Sequence, residues 1–392
     1  MVKVLTIVNR FNIGGITYNV TFLNRFMNDN YETLLIGGHH EEGEAESLYI
    51  VREYGVEPRL IDALKRVPNL KSDYKAYKEI KNIIKEFKPD IVHTHASKAG
   101  FIGRLAAFSC KVPIVVHTFH GHVFHSYFGK FKTNIIRYIE KMLAWKSTGI
   151  VAVSEVQKTE LSKTYKICGV EKVKVIPYGF DLLKFNSKVQ TDRVRVREEY
   201  NIQSDEIALA IIGRVTAIKN HHFFLDVIEK VLEKGIQKIK VFIVGDGDLM
   251  CEIKLKSEVI NNQYGEKIIL TSWIKDIAQF NPGLDIICLT SDNEGAPISL
   301  IEAQASEIAI ISTDVGGVRD VMINNETGYI VDKGNLKEYT EKLCYLIENN
   351  EIRKQMGKNG WEFVKNKFHY DRLIEEMDSY YKELLLKNGI KK

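Results

Sequence analysis

Thr290-Ser-Asp-Asn-Glu294-Gly-Ala-Pro297-Ile-Ser-Leu-Ile-Glu302-Ala decides how this chain is read. It follows an apolar run, Leu284 to Leu289, that reads as a buried parallel strand. Ser291, Asp292 and Asn293 then make a turn. Pro297 stands near a helix start, and Ile298, Leu300, Ile301 and Ala305 give that helix an apolar side. Glu294 is therefore expected in the loop and Glu302 about two turns inside the helix. At ~1.5 Å rise per residue the two carboxylates lie roughly 12 Å apart along the axis. That gap is too long for one shared proton or one metal ion. It suits two hydroxyl-bearing groups of one extended ligand, with a phosphate at the helix N-terminus between them. A sugar nucleotide has that shape. The ordinary alternative is an acidic residue near a helix start plus a solvated helix glutamate.

The chain has 392 residues, enough for two domains with full cores. At 45% hydrophobic and 27% charged it falls in the soluble globular class. The start, Met1-Val-Lys-Val-Leu-Thr-Ile-Val, runs straight into a strand without a signal-peptide pattern. No uncharged apolar run approaches the ~20 residues of a membrane span. Cys110, Cys168, Cys251, Cys288 and Cys344 form no C-x-x-C and mostly sit in apolar contexts. They are expected to be reduced core residues of a cytoplasmic protein. Charge is uneven: residues 1–180 carry 26 Lys+Arg against 17 Asp+Glu, and residues 181–392 carry 29 against 34. A basic first half suggests an anionic partner: a diphosphate acceptor, an acidic glycan or an anionic lipid surface. A solvated surface bias explains it equally well.

Short apolar strands alternate with amphipathic helices throughout. Expected strands in the first half are Val2–Val8, Leu34–Ile36, Asp90–His95, Ile114–His117, Ile150–Val153 and Lys174–Ile176, with helices over Ile16–Met27, Tyr74–Phe87 and Ala99–Phe108. The second half repeats the scheme with Ile207–Ile212, Lys240–Val244, Lys267–Leu270, Leu284–Leu289, Ala309–Ser312 and Gly328–Val331. Such repeats imply an α/β protein of two doubly wound, Rossmann-like domains. Ligands of that architecture bind at the carboxyl ends of the strands, here in a central cleft that both domains are expected to face. Ile176-Pro-Tyr-Gly-Phe-Asp181 interrupts the pattern as the hinge. The expected domains are 1–178 and 179–370.

Several stretches carry chemistry. Asn12-Ile-Gly14-Gly15 follows the first strand, where glycines let backbone N–H groups approach an anion; a plain tight turn is the alternative. Ile212-Gly213-Arg214-Val-Thr-Ala-Ile-Lys219-Asn220 follows a strand, precedes a helix and carries two cations, Arg214 and Lys219. His93, His95, His117, His120, His122 and His125 cluster, but without Cys or carboxylate partners at metal spacing. Asp246-Gly-Asp248 has the form of a metal-binding D-x-D and sits at a strand-to-helix turn; we expect no metal there. Phe128 to Trp145 is amphipathic, with Lys130, Lys132, Arg137 and Lys141 among aromatic residues. It reads either as an ordinary domain helix or as one lying on an anionic membrane surface.

Together these residues resemble glycosyltransferase family 4, retaining enzymes of GT-B fold. The pair Glu294/Glu302 stands in the family's E-G-x-P-x-x-L-x-E-A, and Gly213 to Asn220 matches G-R-x-x-x-x-K-G/N. Pro89 to His95 resembles P-D-I/V-V/I-H-x-H, Thr118 to Gly121 resembles T-x-H-G, Ala152 to Glu155 resembles A-V-S-E, and the hinge resembles I-P-N-G-I-D. The resemblance implies that Glu294 with Gly295 and Ala296 holds the donor sugar, and that Glu302 holds the ribose. Arg214 and Lys219 would take the diphosphate, and His120 would contact the transferred sugar. Gly14, Gly15, Gly213, Gly245, Pro297 and Ile298 would line the donor site. Leu270 to Asp276 resembles the base-reading G-x-x-x-D, with Trp273 and Ile274 near the base, although Ser272 replaces the family glycine. Asp314 to Asp320 matches a family turn with Asp320 in place of the usual Glu. His95, His122 and His125 are acceptor-side candidates, and the helix after about 371 is expected to cross back onto the first domain.

The expected protein is therefore a metal-independent hexosyl- or N-acetylhexosaminyltransferase. It would use a nucleotide sugar, UDP-linked, and a glycan or polyprenyl-diphosphate-linked acceptor in surface polysaccharide synthesis. A peripheral position on the inner membrane face is open, and no nucleic-acid partner or cofactor is expected. A sugar-nucleotide 2-epimerase and a non-catalytic sugar-nucleotide-binding partner remain alternatives.

Overall fold

A computed structural model describes residues 1–11, 14–40, 46–65, 67–120, 130–187 and 189–390, with the backbone alone for 130–132. The chain divides into two compact units, Met1–Phe180 with Tyr370–Lys392, and Asp181–His369.

The first unit holds strands β1 (Val2–Arg10), β2 (Tyr31–Gly38), β3 (Arg59–Leu60), β4 (Ile91–His95), β5 (Ile114–Phe119), β6 (Gly149–Ala152) and β7 (Val173–Val175). They form one parallel sheet in the order β3-β2-β1-β4-β5-β6-β7. Six of β1's residues in a row, Val4 to Asn9, are buried, as a strand with helices on both faces requires. The two-residue β3 and the helix Leu48–Glu53 escaped the sequence reading, being too short for a periodic signal.

The helix Tyr370–Lys387 belongs to this unit. Leu373, Met377, Tyr380, Tyr381 and Leu384 recur at helical spacing and bury against Val4, Ile91, Val116 and Val151. Each such side chain contributes about 1.5–3 kcal/mol of apolar burial. Tyr31 Oη donates to Asp378 at 2.7 Å, and Arg372 donates to the Pro177 and Tyr178 carbonyls at 2.9 and 2.7 Å.

The second unit holds β8 (Ile207–Ile212), β9 (Ile239–Val244), β10 (Ile268–Ser272), β11 (Ile286–Leu289), β12 (Ala309–Thr313) and β13 (Gly328–Val331). Its parallel order is β10-β9-β8-β11-β12-β13. β11 starts two residues later than expected because Asp285 serves another purpose. Its carboxylate accepts from Arg193 at 2.7 Å, Arg197 at 3.1 Å and the Ala208 amide at 2.8 Å, clamping the helix Val189–Glu199 to the sheet. The cysteine expectation holds for Cys288 and Cys344, which are buried. Cys251 is exposed and Cys110 and Cys168 are half-buried; all five are free.

Composition gives no hint of the buried ion pair in the first unit. Arg104, on the helix Ser97–Ser109, is fully buried and donates to Glu140 at 2.6 Å and to the Gly100 carbonyl at 2.7 Å. Glu140 lies on the helix Lys130–Lys146, so the pair ties two helices together. Glu140→Ala strands a buried guanidinium and should cost about 3–5 kcal/mol. The paired Arg104→Met/Glu140→Leu exchange should be far milder. Urea unfolding followed on both variants checks this; a loss below about 1 kcal/mol for Glu140→Ala would show that water solvates the charge.

Candidate functional site

Strand order reverses between β8 and β11, so the loops leaving their carboxyl ends part in opposite directions and open a crevice. Both strong sequence signatures sit there. From β8 come Gly213, Arg214 and a 3-10 turn, Ala217–Lys219. Asn220, left-handed at φ 49°, then caps the helix His221–Glu233 by accepting the Phe223 amide at 3.2 Å. From β11 comes the 290–297 loop. The two loops are stitched together. The Asp292 amide donates to the Ile218 carbonyl at 2.8 Å, and Thr290 Oγ1 reaches the Lys219 and Asn220 carbonyls at 3.2 and 3.1 Å. Lys219 Nζ meets Glu294 Oε1 at 2.6 Å, and Ser291 Oγ donates to the same oxygen at 2.5 Å. Sequence spacing brought these residues to one site but did not predict their direct pairing.

Glycines shape the floor. Gly316 has φ 49°, and a Cβ on it would lie 1.8 Å from the Glu294 carbonyl oxygen; one on Gly317 would lie 2.0 Å from that of Gly295. The Gly317 amide donates to the Glu294 carbonyl at 3.1 Å. The turn after β12 thus supports the backbone of the Glu294 loop from below, and no larger residue fits. Gly245, at φ 136°, packs in the same way against Gly213: its Cβ would sit 2.1 Å from the Gly213 carbonyl oxygen. Its part is to let the ends of β8 and β9 close up. Ser272, where the family has glycine, adopts φ 57°, so it keeps the glycine conformation at some strain. Trp273 and Ile274 follow it, half-buried.

Asp246 Oδ1 accepts the Gly247 amide at 2.7 Å, a local turn bond. Among the described residues no group of His, Cys, Asp and Glu gathers at metal-binding spacing.

Glu302 needs one correction. Pro297 is extended (φ −74°, ψ 99°) and the helix spans Ile298–Ala305, so Glu302 is its fifth residue, a little over one turn in rather than two. Glu302 is half-buried, and the burial of its carboxyl pushes its pKa up to about 7, with Lys184 opposing.

In the first unit the order reverses between β1 and β4. Gly14 (φ 156°) has open space where a Cβ would be, and Gly15 opens the helix Gly15–Phe26, buried. Asn12 and Ile13 lie outside the described residues, as do His122 and His125. At the end of β4, His93 bonds Tyr381 Oη at 2.6 Å and Thr118 Oγ1 at 2.7 Å, a structural role. His95 is fully buried, and its Nδ1 lies 2.8 Å from His120 Nε2. His120 Nδ1 lies 2.8 Å from Tyr178 Oη, with the two rings stacked at 5.4 Å. Both ring nitrogens of His120 are therefore engaged within the protein, so direct bonding to a sugar hydroxyl requires one of them to be released. Burial lowers the pKa of His93, His95, His120 and the equally buried His117, that of His93 and His120 to about 3, and keeps all four imidazoles neutral near pH 7. Tyr178 was missed, although its place in the hinge, where the family linker has Asn, was a signal. Ser154 caps the helix Glu155–Thr159 by accepting the Gln157 amide at 3.1 Å, which accounts for it structurally.

Two doubly wound parallel-sheet units, with a Gly-Arg…Lys loop facing a Glu-Gly…Pro loop at one switch point, define a glycosyltransferase of GT-B type. The family model "Glycosyltransferase Family 4" matches residues 13–183, and "Glycosyl transferases group 1" matches residues 192–363. The chain belongs to glycosyltransferase family 4. It is 29% identical to the capsular polysaccharide biosynthesis glycosyltransferase CapM of Staphylococcus aureus, over 86% of this chain and 90% of the relative. It is 26% identical to the UDP-Gal:alpha-D-GlcNAc-diphosphoundecaprenol alpha-1,3-galactosyltransferase of Escherichia coli, over 84% of this chain and 83% of the relative. Among solved structures, Anabaena HepE in complex with UDP and glucose superposes with a TM-score of 0.83 at 15% identity, covering 98% of this chain and all of that one. This last likeness shows the fold alone.

Glu302 generates a pH prediction. Its folded-state pKa is raised from 4.5 to about 7, so its proton-linked stabilisation is present in full below about pH 4.5 and is lost as pH rises through 7. Glu302→Gln does not titrate. Its thermal midpoint relative to wild type should therefore climb between pH 5 and pH 8.5. A constant difference across that range would contradict the burial of this carboxyl.

Proposed function

We propose that the chain moves a hexose or N-acetylhexosamine from a UDP-sugar to a glycan or polyprenyl-diphosphate-linked acceptor in surface polysaccharide synthesis, with retention at the anomeric carbon and without a metal ion. The observation that carries this reading is the Lys219–Glu294 pair at the β8/β11 switch point, on the loop that also carries Arg214. Support for donor and acceptor comes from the names of the relatives, a UDP-galactose enzyme acting on a diphosphoundecaprenol-linked sugar and a capsular polysaccharide enzyme.

The chemistry follows from charge. Transfer breaks the bond between the anomeric carbon and the β-phosphate oxygen, and the electron pair leaves with the nucleoside diphosphate. Arg214 and Lys219 stabilise that growing charge where it develops, the task a metal ion would otherwise perform. Such charge-assisted contacts contribute about 1.5–3 kcal/mol each. Donor binding exchanges the Lys219–Glu294 bond for a Lys219–phosphate bond. The released Glu294 carboxylate and the Gly295–Ala296 backbone then hold the donor sugar, and Glu302 accepts bonds from the ribose hydroxyls. The acceptor oxygen bonds to the same face of the anomeric carbon, and its proton passes to the departing phosphate oxygen. His120, held between His95 and Tyr178, contacts the transferred sugar once one of its ring nitrogens is released. Five free cysteines support a cytoplasmic location.

Thermal-shift titration of the purified protein tests the donor. UDP and one UDP-sugar should raise the unfolding midpoint, by about 2.7 kcal/mol of added stability at one hundred times the dissociation constant, with GDP and ADP weaker and EDTA without effect. Transfer of radiolabelled sugar from that conjugate to a polyprenyl-diphosphate-linked acceptor should then fall by at least about a hundredfold in Arg214→Ala. Preference for GDP conjugates overturns the base assignment, and loss of the response in EDTA overturns metal independence.

A further inference from the structure

The helix Lys130–Lys146 turns one face away from its own unit. Ile135, Tyr138, Met142 and Trp145 are all exposed, Tyr138 at 66% and Trp145 at 78%. Their spacing of three, four and three places them on one stripe, roughly 80° wide at 3.6 residues per turn. By the same spacing Lys141 and Lys146 fall on its two flanks. The helix Ser97–Ser109, tied to this one by Arg104–Glu140, also exposes Phe101 and Leu105. A monomer surface does not normally gather this many large apolar residues on one face.

Charge identifies what covers the stripe. Residues 1–90 carry 13 Lys+Arg and 13 Asp+Glu, whereas residues 91–180 carry 13 against 4. The first unit's whole excess thus lies in the segment that contains this helix. The only acid in the helix is Glu140, which is buried and neutralised by Arg104. The face is therefore apolar along its middle and cationic at its edges, with no exposed acid of its own. A protein partner with a matching apolar groove needs no such one-sided charge. A bilayer with anionic headgroups needs both features: apolar side chains enter the acyl boundary, the Trp and Tyr rings sit at headgroup depth, and each lysine near the surface adds about 1 kcal/mol.

We infer that the Ile135–Trp145 face docks this protein on an anionic lipid surface, lying in its plane without crossing it. Among the described residues no helix is long and apolar enough to span a membrane. The buried Arg104–Glu140 pair holds the helix down on its inner side and leaves the apolar stripe outward. Donor chemistry plays no part in this docking, so it stands or falls separately from the sugar-nucleotide reading.

Co-sedimentation of the full chain, without nucleotide, tests it with vesicles of phosphatidylglycerol mixed with phosphatidylcholine and with vesicles of phosphatidylcholine alone. The wild type should bind the phosphatidylglycerol vesicles, with Trp emission shifting to the blue and binding weakening as salt rises. Met142→Ser/Trp145→Ser should weaken binding at least about tenfold, and Lys141→Glu/Lys146→Glu by a similar factor. Met142, Trp145 and Lys146 are exposed and Lys141 is half-buried, so the thermal midpoints of both variants should stay close to wild type. Equal binding to the two vesicle types, or an unchanged affinity in either variant, overturns the inference. So does sedimentation velocity that shows self-association abolished by Met142→Ser/Trp145→Ser with no vesicle binding, which would give the face to a second copy of the chain.

Discussion

The bond between Lys219 Nζ and Glu294 Oε1 joins two loops that leave the sheet in opposite directions. Everything else in the second unit's site depends on that meeting. An amine and a carboxylate at 2.6 Å, both partly shielded from water, interact more strongly than a surface pair. Each therefore holds the other in place before any ligand arrives. The bond is also replaceable: a diphosphate offers Lys219 more negative charge than Glu294 does. On the reading proposed above, the contact that organises the site yields to the donor and frees the carboxylate for the sugar.

The loops can meet only because the strand ends pack at backbone distance. Gly245 lies against the Gly213 carbonyl, and Gly316 and Gly317 lie against the carbonyls of Glu294 and Gly295. At each of these contacts an added Cβ would sit about 2 Å from a carbonyl oxygen. Thr290 and Asp292 then fix the register by bonding the backbone of Ile218, Lys219 and Asn220. The first unit solves a similar problem with side chains. A run of neutral imidazoles, His93, His95 and His120, is threaded between Tyr381, Thr118 and Tyr178, and burial keeps it uncharged.

Much of this was legible in the sequence. Apolar runs at strand length, alternating with helical spacing, gave the doubly wound class, because strands buried on both faces read as continuous Val/Ile stretches. The Gly213–Lys219 and Glu294–Glu302 signatures were legible because each joins a strand to a helix at a switch point. What stayed hidden involves partners far apart in the chain. Arg104 and Glu140 meet across 36 residues and His93 and Tyr381 across 288, and no local pattern announces either bond. The helix begins where Pro297 marked it, at Ile298; the depth of Glu302 was overstated because five helical residues make a little over one turn rather than two. His120 was expected to contact the transferred sugar, and only the positions of His95 and Tyr178 show both its ring nitrogens engaged within the protein.

Calorimetric titration of UDP into wild type, Lys219→Ala and Glu294→Gln tests the central claim most directly. If Lys219 exchanges Glu294 for the diphosphate, Lys219→Ala weakens UDP at least about tenfold, while Glu294→Gln, which removes the competing charge, binds UDP as tightly as wild type or more so. Undiminished UDP affinity in Lys219→Ala, or a loss in Glu294→Gln as large as in Lys219→Ala, would contradict it.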